Sequence, residues 1–322
     1  MLHQSIAPVT LRCMSNTDVA ALQLPSYTFF HTAIRRGFLP FMLLGVNGAA
    51  IALAATGAPK WQLFGIVAGA VLASFVAEQV APYRADWNRS RGDTPRDVAH
   101  AVVNELLQLG SLFLLPALVA VLSIDGLWPT RAPFWVQVLG SVVVVDAGIT
   151  VAHWWSHRWK PLWRLHSVHH SVERFYGFNG MMKHPLHQLF ETMVATTPLV
   201  LLGLPTDVAT AVVVLVAVQL LVQHSNVDYS TGGLHRFLAV NRVHRFHHLR
   251  WPGVGDVNFG LFLTVWDRLL GTYVNDPAAK FDSSVLGIAA EPDYPVGYVA
   301  QLTHPFRAYN PQPADVPSEW RR

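Results

Sequence analysis

The sequence predicts an all-helical, polytopic membrane protein: about four transmembrane helices plus a helical hairpin, under a histidine-rich cytoplasmic cap. Three observations carry this. Of the 322 residues, 52% are hydrophobic and only 13% charged, against roughly 25% charged in an ordinary soluble domain. The uncharged residues gather into runs near the roughly 20 residues a helix needs to cross the hydrocarbon core. The positive residues flank those runs on one side. A mean hydropathy of +0.30 and a net charge of +3 argue against a soluble enzyme, a disordered chain and a nucleic-acid binder with a basic face. The one cysteine, Cys13, permits neither an intrachain disulfide nor a cysteine-based metal site.

The elements follow in order. Residues 1–34 read as an N-terminal cytoplasmic segment, too mixed in character for a signal peptide. Within 35–152, four runs read as spans. Residues 38–58 and 106–124 hold no charge, 61–81 hold one (Glu78) and 133–152 hold one (Asp146). Two further apolar stretches, 192–204 and 206–223, meet at Gly203-Leu204-Pro205 and read as a tight hairpin inside a catalytic region of 153–275. Residues 276–322 form a C-terminal cytoplasmic tail. Arg35 and Arg36 precede the first span, Arg84, Arg89, Arg91 and Arg96 follow the second, and Arg158, Lys160, Arg164, Arg174 and Lys183 follow the fourth. The opposite loops carry only Lys60 and Arg131. The termini, the 82–105 loop and the 153–188 segment are therefore expected in the cytoplasm.

Eight of the 16 histidines fall in two short windows. His153, His157, His166, His169 and His170 lie within 18 residues, and His244, His247 and His248 within five. The patterns are H-x3-H, then H-x2-H-H twice. Residues i and i+4 share a helix face, so His153 and His157 can aim at one point. In H-x2-H-H the i and i+3 residues share a face, with the adjacent histidine about 100° away, an arrangement able to serve two neighbouring metals. Imidazole suits Fe, Zn, Cu and Ni, and eight converging rings exceed the four ligands of one zinc site. The count implies two metals. An H-E-x-x-H pattern is absent, which removes an intramembrane zinc protease.

Further candidates surround the boxes. KHPLHQLFE sets His184, His187 and Glu191 on one helical face, and His224 ends the hairpin on the same membrane side. His187 and His224 are added as ligands. His184 is weaker, because Pro185 suggests a helix start and a capping role. Glu191 is expected to orient the site. Asp146 lies seven residues before His153 and eleven before His157, on the same face but deeper. An intramembrane carboxylate is costly and by default functional, so it is expected to orient an imidazole or line a substrate channel.

These boxes resemble those of the fatty acid hydroxylase/sterol desaturase superfamily, the integral-membrane di-iron oxygenases. The gap from His157 to His166 is nine, and the distal box begins 74 residues after His170. RWKPLWRLHSVHHS resembles the family's second box, and NFGLFLTVWDRLLGTY (258–273) its closing signature. The resemblance covers about 140–275. It implies two irons (zinc being an alternative occupant in purified protein), O2 as co-substrate, and hydroxylation of a membrane lipid at an acyl, alkyl or sterol chain or a headgroup. Desaturation with the same metals is the alternative. The chain has no G-x-G-x-x-G fingerprint and no cysteine set for an iron–sulfur cluster. An external electron donor is therefore expected, a ferredoxin or cytochrome b5 with its reductase, and Arg242, Arg245 and Arg250 could dock an acidic one. Outside the enzymes, a metal transporter would place its ligands near the bilayer midplane in broken helices, whereas these histidines sit at span ends. The Ala/Val-rich composition favours a bacterial inner membrane over the endoplasmic reticulum.

Overall fold

The computed structural model describes residues 25–321 and is helical throughout its membrane part; most of the expected N-terminal segment lies outside the described residues. Helix α1 (Pro25–Pro40) runs through a π-helical stretch (Phe41–Val46) into α2 (Asn47–Ala55). The π register begins directly after Pro40, whose missing N–H and bulky ring disturb the regular ladder. Then follow α3 (Lys60–Val80), α4 (Thr94–Leu122), α5 (Phe134–Ser156), α6 (Lys160–His170), α7 (Pro185–Leu202) and α8 (Thr206–His224). Short helices α9 (Asn241–His244), α10 (Val265–Leu270) and α11 (Tyr298–Thr303) belong to the cap.

Five helices among the described residues are long and apolar enough to cross a membrane: Phe29–Ala55, α3, α4, α5 and α8. The protein is an integral membrane protein. Exposed Leu72, Leu106, Phe113, Val121 and Trp135 cover the bundle's outside, as a lipid-facing surface requires. The hairpin is real. Gly203 ends α7 in the left-handed region (φ 90°), which glycine adopts without strain. Its second arm, α8, is the buried strut of the bundle, packed by α2, α3, α4 and α5. Small residues bring α5 and α7 together: a Cβ on Gly148 would stand 2.6 Å from Ala195 Cα.

The cap has its own core of Trp87, Phe175, Phe246, Trp251, Phe281 and Leu286. Buried Glu78 ties it to the bundle, accepting from the backbone N–H groups of Gly177 (2.9 Å) and Asn226 (3.1 Å). The 276–321 segment folds back over this core, and Gln301 of α11 reaches His100 Nε2 at 3.0 Å.

Candidate metal centre

Every histidine of the three boxes, and His224, comes from an element end that points into one buried chamber. The end of α5 supplies His153 and His157, α6 supplies His166, His169 and His170, the end of α8 supplies His224, and α9 with the turn after it supplies His244, His247 and His248. They form two groups. In the first, His153, His157, His166, His170 and His247 bring their ligand nitrogens within 4.8 Å of one another; in the second, His169, His224, His244 and His248 do the same. The groups adjoin, with the His170 and His248 rings stacked at 4.7 Å and the His244 and His247 rings at 4.9 Å.

The division corrects the expected use of H-x2-H-H. The residues that stay together are i and i+4, namely His166 with His170 and His244 with His248. The middle histidine crosses over: His169 joins the second group and His247 the first. The two H-x2-H-H boxes are thus interlocked, each serving both groups, while His153 and His157 both serve the first.

The outer nitrogens fix the tautomers. Nδ1 of His153 donates to Phe259 O (2.9 Å), His247 to Val257 O (2.9 Å), His169 to Met182 O (3.1 Å) and His224 to Leu220 O (3.1 Å). A carbonyl only accepts, so each of these imidazoles carries its proton on Nδ1 and turns a lone pair inward on Nε2. Yet the Nε2 atoms of His153 and His247 stand 2.8 Å apart, and those of His169 and His224 3.3 Å apart. Facing lone pairs repel. A cation between them turns the repulsion into coordination, so the residues fit a metal in each group. Burial, with added repulsion from neighbouring imidazoles, holds His166, His169, His170, His244, His247 and His248 well below the ordinary histidine range. The neutral, ligating form is favoured.

The backbone carbonyls are themselves held by two carboxylates. Asp267 accepts from the N–H groups of Phe259 (2.7 Å) and Gly260 (2.9 Å) and from Thr272 Oγ1 (2.8 Å). Asp146 accepts from Leu261 (3.0 Å), Phe262 (2.8 Å), Leu263 (2.9 Å) and Trp266 Nε1 (2.8 Å). This corrects the expectation for Asp146: it neither bonds an imidazole nor lines a channel, because four N–H donors saturate it. It fixes the loop whose carbonyls orient His153 and His247. Gly260 allows that loop to close, since a Cβ there would lie 2.5 Å from Leu263 O and 3.0 Å from Asp267 Oδ2.

The other candidates lie around the two groups. His184 caps α7, accepting from Leu186 N (3.1 Å), while its Nε2 donates to Leu302 O (3.2 Å). His187 Nε2 meets Ser156 Oγ at 2.8 Å, and its Nδ1 is 3.8 Å from Glu191 Oε1. It stands with His166 and Glu191 in a third, smaller grouping. Glu191 pairs with Lys183, so its expected orienting role is shared with a lysine. Arg245 is buried against the Tyr83 ring at 3.8 Å and is no surface docking residue. Sequence reasoning missed Asp256, whose carboxylate accepts from His157 Nδ1 at 2.8 Å. Burial opposes that charge, but the hydrogen bond from His157 keeps Asp256 below its ordinary value.

Comparison with known proteins agrees with this geometry. The family profile described as fatty acid hydroxylase matches residues 138–272. Ornithine lipid hydroxylase OlsE of Rhizobium tropici is 33% identical over 249 residues, 74% of this chain and 72% of that protein. The chain belongs to the fatty acid hydroxylase family. Alkylglycerol monooxygenase of Danio rerio is 29% identical over 53% of this chain and 35% of its own length. Delta(7)-sterol 5(6)-desaturase of Candida glabrata is 28% identical over 45% of this chain and 40% of its own length. This chain therefore spans well under half of those two relatives. No solved structure matches it. Membership makes the protein a membrane oxidoreductase of the lipid hydroxylase and monooxygenase type, with buried histidine clusters able to hold metal ions.

Proposed function

We propose that the protein hydroxylates a polar membrane lipid, using two irons held by His153, His157, His166, His170 and His247 on one side and His169, His224, His244 and His248 on the other. The observation that carries this is the pairing of inward lone pairs in two adjoining groups, an arrangement that two cations satisfy and none leaves repulsive. The reaction is R–H + O2 + 2 e⁻ + 2 H⁺ → R–OH + H2O, with electrons from a separate redox protein such as a ferredoxin or cytochrome b5. When bound, the irons supply the O2 reduction and C–H oxidation.

The chain's own residues do the rest. The carbonyls of Val257, Phe259, Met182 and Leu220 orient the rings, and Asp256 orients His157. Phe259 and Phe175 give the chamber apolar walls, their rings 5.4 Å from His153 and 5.2 Å from His224. An apolar cavity of about 200 Å³ lies between α4, α5, α7 and α8, reaching from Leu204 to Glu191, and offers room to a lipid chain drawn from the bilayer. The positive flanks support a cytoplasmic position for this chamber, and the Ala/Val-rich composition supports a bacterial inner membrane. Hydroxylation is favoured over desaturation by the ornithine lipid hydroxylase and alkylglycerol monooxygenase relatives.

The test is a lipid extract from cells expressing wild type or His169→Ala under ¹⁸O2. Wild type should yield a lipid heavier by one labelled oxygen, absent in the variant. A product lighter by two hydrogens would replace hydroxylation with desaturation. A product formed equally by His169→Ala would end the proposal.

A further inference from the structure

The apolar cavity has one polar end, and the carboxylate at that end lies beside two histidines, with Glu191 Oε1 3.8 Å from His187 Nδ1 and His166 in the same grouping. Among its described lining residues only Lys183 and Glu191 are charged. They are ion-paired, with side chains only 9% and 3% exposed. Glu191 adjoins His187 and His166. Beside the pair, Gln188 Nε2 donates to Thr192 Oγ1 (3.3 Å), which donates to Gln108 Oε1 (3.2 Å). The opposite end is hydrocarbon: Leu115, Leu118, Leu199, Leu204 and Val212. On the lipid-facing flank, Leu114, Leu189 and Met193 of the same lining are exposed, so the cavity borders the bilayer between α4 and α7. The space is amphipathic along its length, as a single lipid is.

A buried ion pair is weak evidence for a stabilising role, because desolvation consumes most of its attraction. Its placement between the apolar cavity and His187 and His166 suits recognition instead. A methyl terminus pushed toward the histidines would have to lie against two charges. A polar group arriving there meets partners. The charges of the pair sum to zero, so a purely anionic or cationic group would leave one buried charge in excess. A zwitterion lets each charge meet its opposite and keeps the sum at zero.

We propose that Lys183 and Glu191 are the specificity-determining residues of the lipid site. They select a net-neutral, zwitterionic headgroup, its anion on Lys183 and its ammonium on Glu191, with the chain in the apolar cavity. The carbons presented to the histidines are then those at the polar end of the lipid, in or next to the headgroup. The regiochemical part rests on the lipid-hydroxylase reading; the recognition part does not.

The test is competitive lipid retention by metal-free, nanodisc-reconstituted protein, read by native mass spectrometry. The probes share one pair of acyl chains: an aminoacyl lipid with free carboxylate and ammonium, phosphatidylethanolamine, phosphatidylglycerol and diacylglycerol. Wild type should retain a zwitterionic lipid at least tenfold over the last two. Preference for the aminoacyl lipid alone identifies a carboxylate as the anion, and equal retention of phosphatidylethanolamine identifies a phosphate as equally acceptable. Lys183→Met and Glu191→Gln should each lose the preference. The double variant Lys183→Met/Glu191→Leu removes both buried charges together, a change that folds are known to tolerate, and should prefer diacylglycerol. Retention of phosphatidylglycerol or diacylglycerol equal to the zwitterions, or a double variant with wild-type preference, overturns the proposal. Zwitterion retention without an oxygenated product from any lipid would uphold recognition and defeat the hydroxylase reading.

Discussion

Asp146→Asn tests how the histidines are held, because it preserves shape while changing only the hydrogen-bonding sense of one atom. The carboxylate accepts two N–H groups on Oδ1, from Leu261 and Phe262, and two on Oδ2, from Leu263 and Trp266. An asparagine keeps one acceptor oxygen and turns an NH2 toward the other two donors. One flip leaves two buried N–H groups unpaired and the other leaves two part-buried ones, at about 1–3 kcal/mol each, or about 2–6 kcal/mol in all with the part-buried pair at the lower end. At roughly 2 °C per kcal/mol for a chain of this size, the melting midpoint should fall by about 4–12 °C. The damage should also reach the metals unevenly. Loosening the 257–263 loop frees the carbonyls that orient His153 and His247, both in the first group. Loss of such an orienting partner lowers metal affinity about 10- to 100-fold. The assay is thermal unfolding in detergent beside metal titration of the same sample. A variant that melts within about 2 °C of wild type and binds metal with unchanged affinity would refute the reasoning.

Three further outcomes follow. Gly180→Ala puts a Cβ 2.7 Å from Leu220 O and 2.9 Å from His224 Nδ1; it should displace His224 and weaken the second metal group while sparing the first, as read by metal titration. Acid should destabilise the metal-free protein. The buried histidines outside the spans have folded pKa values below their unfolded value of about 6.5. The unfolded chain then binds more protons, so this stability is full above about pH 6.5 and is lost as the pH falls below it. A midpoint that does not fall between about pH 7 and 5 contradicts this. His169→Ala should abolish lipid oxidation, whereas His235→Ala, which only loses a bond to Gly232 O, should retain it in the same lipid-oxidation assay.

The spans were legible because charge-free runs have one physical explanation, and Glu78 and Asp146 stood out against them. The three boxes were legible because helical spacing converges i and i+4 side chains. How the rings divide was not legible. It depends on the tertiary placement of α6 beside α9 and the turn after it, which no local pattern encodes, so His169 and His247 cross between groups unannounced. His184 followed the right helix but turns to Leu186 N and Leu302 O, whereas His187 stands beside His166 in a smaller grouping completed by Glu191. Asp146 was recognised as costly yet misjudged, because its partners are backbone N–H groups 115–117 residues away. The carbonyls that orient the rings have no sequence signature at all. Two of them, at Val257 and Phe259, lie in or beside the closing loop that Asn258, Gly260 and Asp267 shape.

The central claim is that the interlocked boxes hold two irons, one per histidine group. Metal content and Mössbauer spectra of anaerobically ⁵⁷Fe-loaded protein test it directly, with wild type measured beside His153→Ala, which alters the first group, and His248→Ala, which alters the second. About two irons per chain in wild type, and selective loss of one in each variant, is the predicted result. One iron or none in wild type would contradict the account.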